Sequence, residues 1–106
     1  MEADERALQI WQVLIGTAHH RQTITYETLG NLIGTGGEAV LGYSLNRVLE
    51  HCARNGLPPL TALVVDNQGE PGMGLTAVTN VHADREHVFA YGWYALPPRQ
   101  IADFAV

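Results

Sequence analysis

The chain contains no lysine. Its six cationic side chains are all arginine, set against eleven aspartates and glutamates for a formal net charge of -5. Proteins that bind nucleic acid through their overall field carry a basic stripe, because neutralised phosphates supply most of the affinity. No such field exists here, so binding to double-stranded DNA must rest on a local patch. The lone cysteine, Cys52, has no partner for an intramolecular disulfide, which fits a reducing compartment. No apolar run approaches the ~20 residues that cross a bilayer. The MEADER start is acidic, whereas a secretory signal starts basic. A cytoplasmic protein with no membrane partner is the expectation.

Metal and nucleotide chemistry also lack their usual residues. His82 and His87 flank Ala83-Asp84-Arg85-Glu86 without the further ligands that a metal site needs. His19 and His20 fall at the end of a helical pattern, where cations favour the helix dipole. The glycine-rich stretch at 69–74 has neither the lysine nor the hydroxyl of a phosphate loop. Neither a metal nor a cofactor is expected.

What remains is a folded domain of 106 residues with 46% hydrophobic and 16% charged residues, one unit spanning 1–106 with a single core. Ala7, Trp11, Leu14, Ile15 and Ala18 recur at helical spacing and predict a first helix over 4–18. Thr25 is placed to cap a short helix over 26–33, with Tyr26, Leu29, Leu32 and Ile33 inward and Gly34 ending it. Leu41, Leu45, Val48, Leu49 and Cys52 form the stripe of a long third helix over 38–55. Asn55-Gly56 stops that helix, and Pro58-Pro59 prevents continuation. The apolar run LTALVV at 60–65 reads as an inner strand, followed by a turn at 66–69 and a return strand at 75–81. Asp84 could cap a fourth helix to residue 91. Trp93 to Leu96 should be tied to the core, and the tail after Pro97-Pro98 should dock through Ile101 and Phe104. This order predicts an α+β fold (α/β in the broad sense). It is a winged helix-turn-helix of three to four helices with a small β-hairpin wing.

The runs TITYETLGNLIG, VLGYSLNRVL and NGLPPLTALVVDNQGEPG, together covering about residues 23–74, resemble the C-terminal winged-helix domain of DNA alkyltransferases and alkyltransferase-like proteins. That family carries a Pro-Cys-His-Arg-Val-Val strand, and the resemblance places Thr61 and Ala62 at its cysteine and histidine. Methyl transfer needs an acidified thiolate and its base, so these residues argue against an enzyme. The family's base-flipping arginine corresponds to Glu38 or Val40, neither of which can act as a guanidinium. The stretch NGLPPLTALVV, with the PGMG turn and VFAYGW, is also similar to small bacterial and phage proteins of uncharacterised function.

The candidate binding residues lie on the third helix. Arg47, His51 and Arg54 stand at i, i+4 and i+7, giving a small cationic face for phosphates or for an acidic partner. The competing reading is a solvated face with Glu50 pairing its neighbours. Asn46 and Ser44, if exposed, would reach base edges or sugars, and Arg21 could add a phosphate contact. Cys52 on the apolar stripe is a core thiol. Two functions follow: a non-catalytic protein with weak or context-dependent DNA binding through the third helix, or a protein-interaction module. The second would be an acidic adaptor or phage- or defence-related binder using the winged-helix frame without DNA.

Overall fold

The computed structural model describes residues 3–34, 38–69 and 81–105, with main chain alone for 38–40 and 81. The described chain is mostly helical, with four helices and a two-stranded sheet, an α+β arrangement. Helix α1 (Ala3–His19) leads through β1 (Ile24–Thr25) into α2 (Tyr26–Ile33) and α3 (Glu38–Arg54). A 3₁₀ turn (Leu60–Leu63) then runs into β2 (Val64–Val65). Helix α4 (Val81–Ala90) precedes two more 3₁₀ turns, Trp93–Ala95 and Ile101–Phe104.

Helix α1 is central because it packs against α2, α3, α4 and all three 3₁₀ turns. Its sequence explains that position: Ala7, Ile10, Trp11, Leu14 and Ala18 are all buried, on a stripe wide enough to meet neighbours on several sides. Each large apolar side chain sequestered there contributes about 1.5–3 kcal/mol. Helix α3 supplies the facing stripe through Leu41, Leu45, Val48 and Cys52. The Ser44 hydroxyl donates to the Ala3 carbonyl at 3.1 Å, tying the start of α1 to α3.

The helix ends follow their sequence signals. Thr25 Oγ1 accepts from the Thr28 amide at 3.1 Å, and Gly34 closes α2 at φ 76°. At the end of α3, Gly56 has φ 66°, and the Leu57 amide donates back to the Cys52 carbonyl at 2.9 Å. That 6→1 bond is the mark of a Schellman stop. Helix α1 ends the same way, with Gln22 donating to Thr17 and Arg21 to Ala18. Here an arginine, Arg21 at φ 55°, occupies the left-handed position that usually takes glycine.

Several expectations change. The 60–65 run is buried throughout as expected, but Leu60–Leu63 forms a 3₁₀ turn and only Val64–Val65 is extended. The cause is local: Pro59 places its carbonyl to accept from the Ala62 amide at 3.0 Å, so the chain coils before it straightens. β2 pairs in parallel with β1, Ile24 opposite Val64 and Thr25 opposite Val65. The hairpin wing's return strand, expected at 75–81, lies outside the described residues except for Val81, which opens helix α4. Helix α4 begins at Val81, before Asp84. Leu32 is 63% exposed, so it is not the core residue that its spacing suggested, and the tail docks through Phe104 while Ile101 stays 44% exposed.

Gly56 and Gly42 separate backbone cost from packing cost, since an added Cβ would meet nothing within 4 Å at either position. Gly56→Ala should lower unfolding free energy by about 1–2 kcal/mol, the cost of a Cβ in the left-handed region. Gly42→Ala, inside α3, should raise it by about 0.5–1 kcal/mol. Urea unfolding checks both, and a neutral Gly56→Ala would contradict the positive-φ stop.

Candidate functional site

The spacing of Arg47, His51 and Arg54 does put them on one face of α3, but that face is covered by the chain's own C-terminal segment. The Arg47 Nη1 donates to the Phe104 carbonyl at 3.3 Å. The Arg54 Nη2 donates to the Asp103 carbonyl at 3.4 Å, and His51 Nδ1 lies 3.1 Å from the same oxygen. These oxygens sit in the last turn of the Ile101–Phe104 3₁₀ helix, where carbonyls lack helical partners and attract cations. The expected phosphate donors therefore bind main-chain oxygens. Phe104 secures the turn by burying its ring completely, against Trp11 at 5.8 Å and His51 at 4.9 Å between centroids.

His51 is not on a solvated face at all, being only 4% exposed. Its ring is fixed from both sides. A carbonyl can only accept, so Nδ1 carries the proton toward Asp103. Arg99 Nε can only donate, and it reaches Nε2 at 2.9 Å, so Nε2 keeps its lone pair. Asn55 Nδ2, 3.4 Å from Nδ1, makes its real bond to the His51 carbonyl at 2.8 Å. Burial holds the imidazole below its usual pKa; the Asp103 carbonyl bond opposes this, and the neighbouring Arg99 and Arg54 charges add to it.

The other candidate residues separate. Ser44 is fully buried, so the condition for its contacting a base is not met. Asn46 is exposed on α3. Arg21 lies elsewhere, pairing with Glu86 at 3.0 Å and stacking over Phe89 at 5.0 Å, where it joins the end of α1 to α4. The exposed positions of α3 are Tyr43, Asn46, Glu50, Ala53 and Arg54, so a single arginine stands there beside a glutamate.

Of the residues that the alkyltransferase resemblance singles out, Thr61 and Ala62 are inside the protein, and the side chains of Glu38 and Val40 lie outside the described part. Thr61 is fully buried and Ala62 nearly so. The Thr61 hydroxyl has no hydrogen-bond partner, Arg85 Nε donates to the Ala62 carbonyl at 2.9 Å, and Arg85 Nη2 is buried without a partner. Cys52 is buried too, and burial pushes its thiol up to about 11, leaving little thiolate near neutral pH. Among the described residues no group of three or more His, Cys, Asp or Glu side chains could hold a metal. No described helix is long and apolar enough to cross a membrane.

What sequence reading missed is Arg99 and the cleft beside it. Trp11, Ile15, Trp93, Tyr94, Leu96 and Arg99, with Pro97-Pro98, line a hollow of about 240 Å³. A second, of about 360 Å³, lies between α1 and α2 over Gln9, Val13, Leu32 and Ile33. Gln12 borders both, so the two adjoin across the outer face of α1. The available signal was the Trp-Tyr and Pro-Pro-Arg cluster after Gly92, a concentration of aromatic and rigid residues in a short tail.

Two measurements check this assignment. A thiol reagent at neutral pH should leave Cys52 unmodified in the native protein and label it fully in urea, and rapid native labelling would contradict a buried thiol. Arg47→Ala combined with Arg54→Ala should lower unfolding free energy by about 1–2 kcal/mol through lost bonds to the tail, with the Arg54 share reduced by its exposure; no change would mean that the tail contacts are idle. Comparison with protein families, curated proteins and solved structures finds no match to this chain, so the alkyltransferase resemblance stands on its sequence motifs alone.

Proposed function

We propose that this chain is a non-catalytic protein-interaction module that binds an extended peptide segment of a partner across the outer face of α1. The observation that carries this reading is the occupation of the α3 cationic face. Arg47, His51 and Arg54 each direct a nitrogen to the Asp103 or Phe104 carbonyl, so duplex DNA bound along this face would compete with a tail anchored by fully buried Phe104. In this reading α2 and α3 form a helix-turn-helix frame that serves as scaffold, and the winged-helix shape is retained without offering α3 to DNA.

The dimensions of the groove favour a peptide. The hollows, at about 240 and 360 Å³, lie one just below and one just inside the about 300–1,000 Å³ typical of small-molecule sites. Each suits one or two side chains. Their side-by-side arrangement suits a strand or polyproline segment lying across the helix. Tyr94 at one end and Leu32 at the other are both 63% exposed and supply the apolar contacts. Arg99 is the charged member of the lining. It uses Nε on His51 and Nη1 on the Pro97 carbonyl, so its Nη2 can meet a carboxylate. The partner segment is therefore apolar or proline-containing with an acidic residue.

Selection from a random peptide-display library tests this directly. Enriched peptides should combine apolar residues or proline with aspartate or glutamate. Their affinity should fall about tenfold (~1.4 kcal/mol) in Tyr94→Ala and in Leu32→Asp. Tyr43→Ala, at a residue 77% exposed on α3, should leave binding unchanged. Failure to enrich any sequence, together with salt-sensitive duplex binding lost in Arg47→Ala/Arg54→Ala, would replace this reading with the DNA-binding one.

A further inference from the structure

Among the α3 side chains that hold the C-terminal segment, one is a titratable ring whose two nitrogens have opposite roles. His51 Nδ1 donates to the Asp103 carbonyl, and Nε2 accepts from Arg99 Nε at 2.9 Å. Only the neutral imidazole with its proton on Nδ1 can do both. Adding a proton to Nε2 sets two donors against each other at that distance and places a second positive charge beside a guanidinium.

We propose that His51 is the release catch of a C-terminal cover: protonation of Nε2 detaches the 99–104 segment from α3 and uncovers His51 and Arg47 beside the already exposed Arg54, completing a cationic strip. The groups around the ring set the balance. From the tail come Arg99 and Asp103, the latter with its carboxylate turned back to the Gln100 amide at 2.8 Å. From α3 come Arg54 and, one turn earlier, Arg47, both bound to the same tail turn. From α1 comes Trp11, edge-on to the imidazole at 5.3 Å and under the Arg99 guanidinium at 5.4 Å. Three cations and one carboxylate surround the ring, so a charged imidazole is disfavoured while the tail is seated, and once charged it favours the tail's departure.

The direction with pH follows from linkage. The seated imidazole binds its proton less readily than the usual value of 6.5, chiefly through burial. The released chain therefore takes up the proton first as pH falls. The contact is fully present above the released-state pKa and is lost as pH falls through the lower, seated value. The exposed histidines His19, His20, His82 and His87 are not part of this coupling. The catch operates whether or not a peptide fills the α1 groove, although release also removes Arg99 from the rim of that groove.

Amide hydrogen exchange of the intact chain, corrected for intrinsic rates, tests the catch between about pH 7.5 and pH 5. The 99–105 amides should lose about tenfold or more of their protection across that range while the α1 amides keep theirs. His51→Gln should abolish the difference between the two pH values. Arg99→Met, which removes the opposing donor and its charge, should lower tail protection at neutral pH and shrink its further loss on acidification. Imidazole ¹⁵N resonances of the unmodified protein give a measurement that does not depend on a variant folding. At neutral pH His51 should carry its proton on Nδ1 and titrate below 6.5. The proposal is overturned if tail and α1 amides lose protection together, if the tail stays protected throughout, or if His51→Gln shows the same loss. A proton on Nε2 at neutral pH, or titration at or above the usual value, overturns it equally.

Discussion

The structure depends on the contacts that meet at Trp11. This side chain is 3% exposed and lies edge-on to His51 at 5.3 Å and to Trp93 at 5.5 Å. It also tilts against Phe104 at 5.8 Å and carries the Arg99 guanidinium over its ring at 5.4 Å. One indole thus joins α1 to α3 and to both C-terminal 3₁₀ turns. Aromatic pairs at such separations contribute about 0.5–1.5 kcal/mol each beyond the area they bury. Trp93, in turn, fastens α4 by donating Nε1 to the Val88 carbonyl at 2.7 Å. A 106-residue chain with two tryptophans has placed both at one junction.

That junction changes the meaning of the cationic residues on α3. Charge spacing along a helix reports which side chains share a face, and it did so correctly for Arg47, His51 and Arg54. It cannot report what the rest of the chain lays on that face. Here the tail presents carbonyl oxygens, which are neutral acceptors with strong dipoles, in the place that phosphate oxygens would take. A charge-assisted hydrogen bond inside the same molecule needs no association entropy, so a short segment anchored by one phenylalanine can hold these donors.

The same reasoning separates the alkyltransferase motif from its chemistry. The NGLPPL sequence stops α3 at Gly56 and leads through Pro59 into the buried run. The residues that follow are packed as core, with Thr61 fully buried and its hydroxyl unpartnered. Cys52, the only thiol, is made less acidic by its surroundings. A frame of helix, stop and buried run can be kept for its packing alone.

Local signals in the sequence determined the helices and their ends. The stripes of α1 and α3, the Thr25 cap, and the glycines at 34 and 56 act within one or two turns, so neighbouring residues carry the necessary physics. Where a second segment had to participate, the sequence was silent or misleading. Leu32 has helical spacing for burial, yet nothing in the described chain covers it. His51 reads as a surface cation until Arg99, forty-eight residues later, takes its Nε2. Periodicity encodes which way a side chain points from its own backbone; only the tertiary structure decides whether water, another helix or a tail lies there.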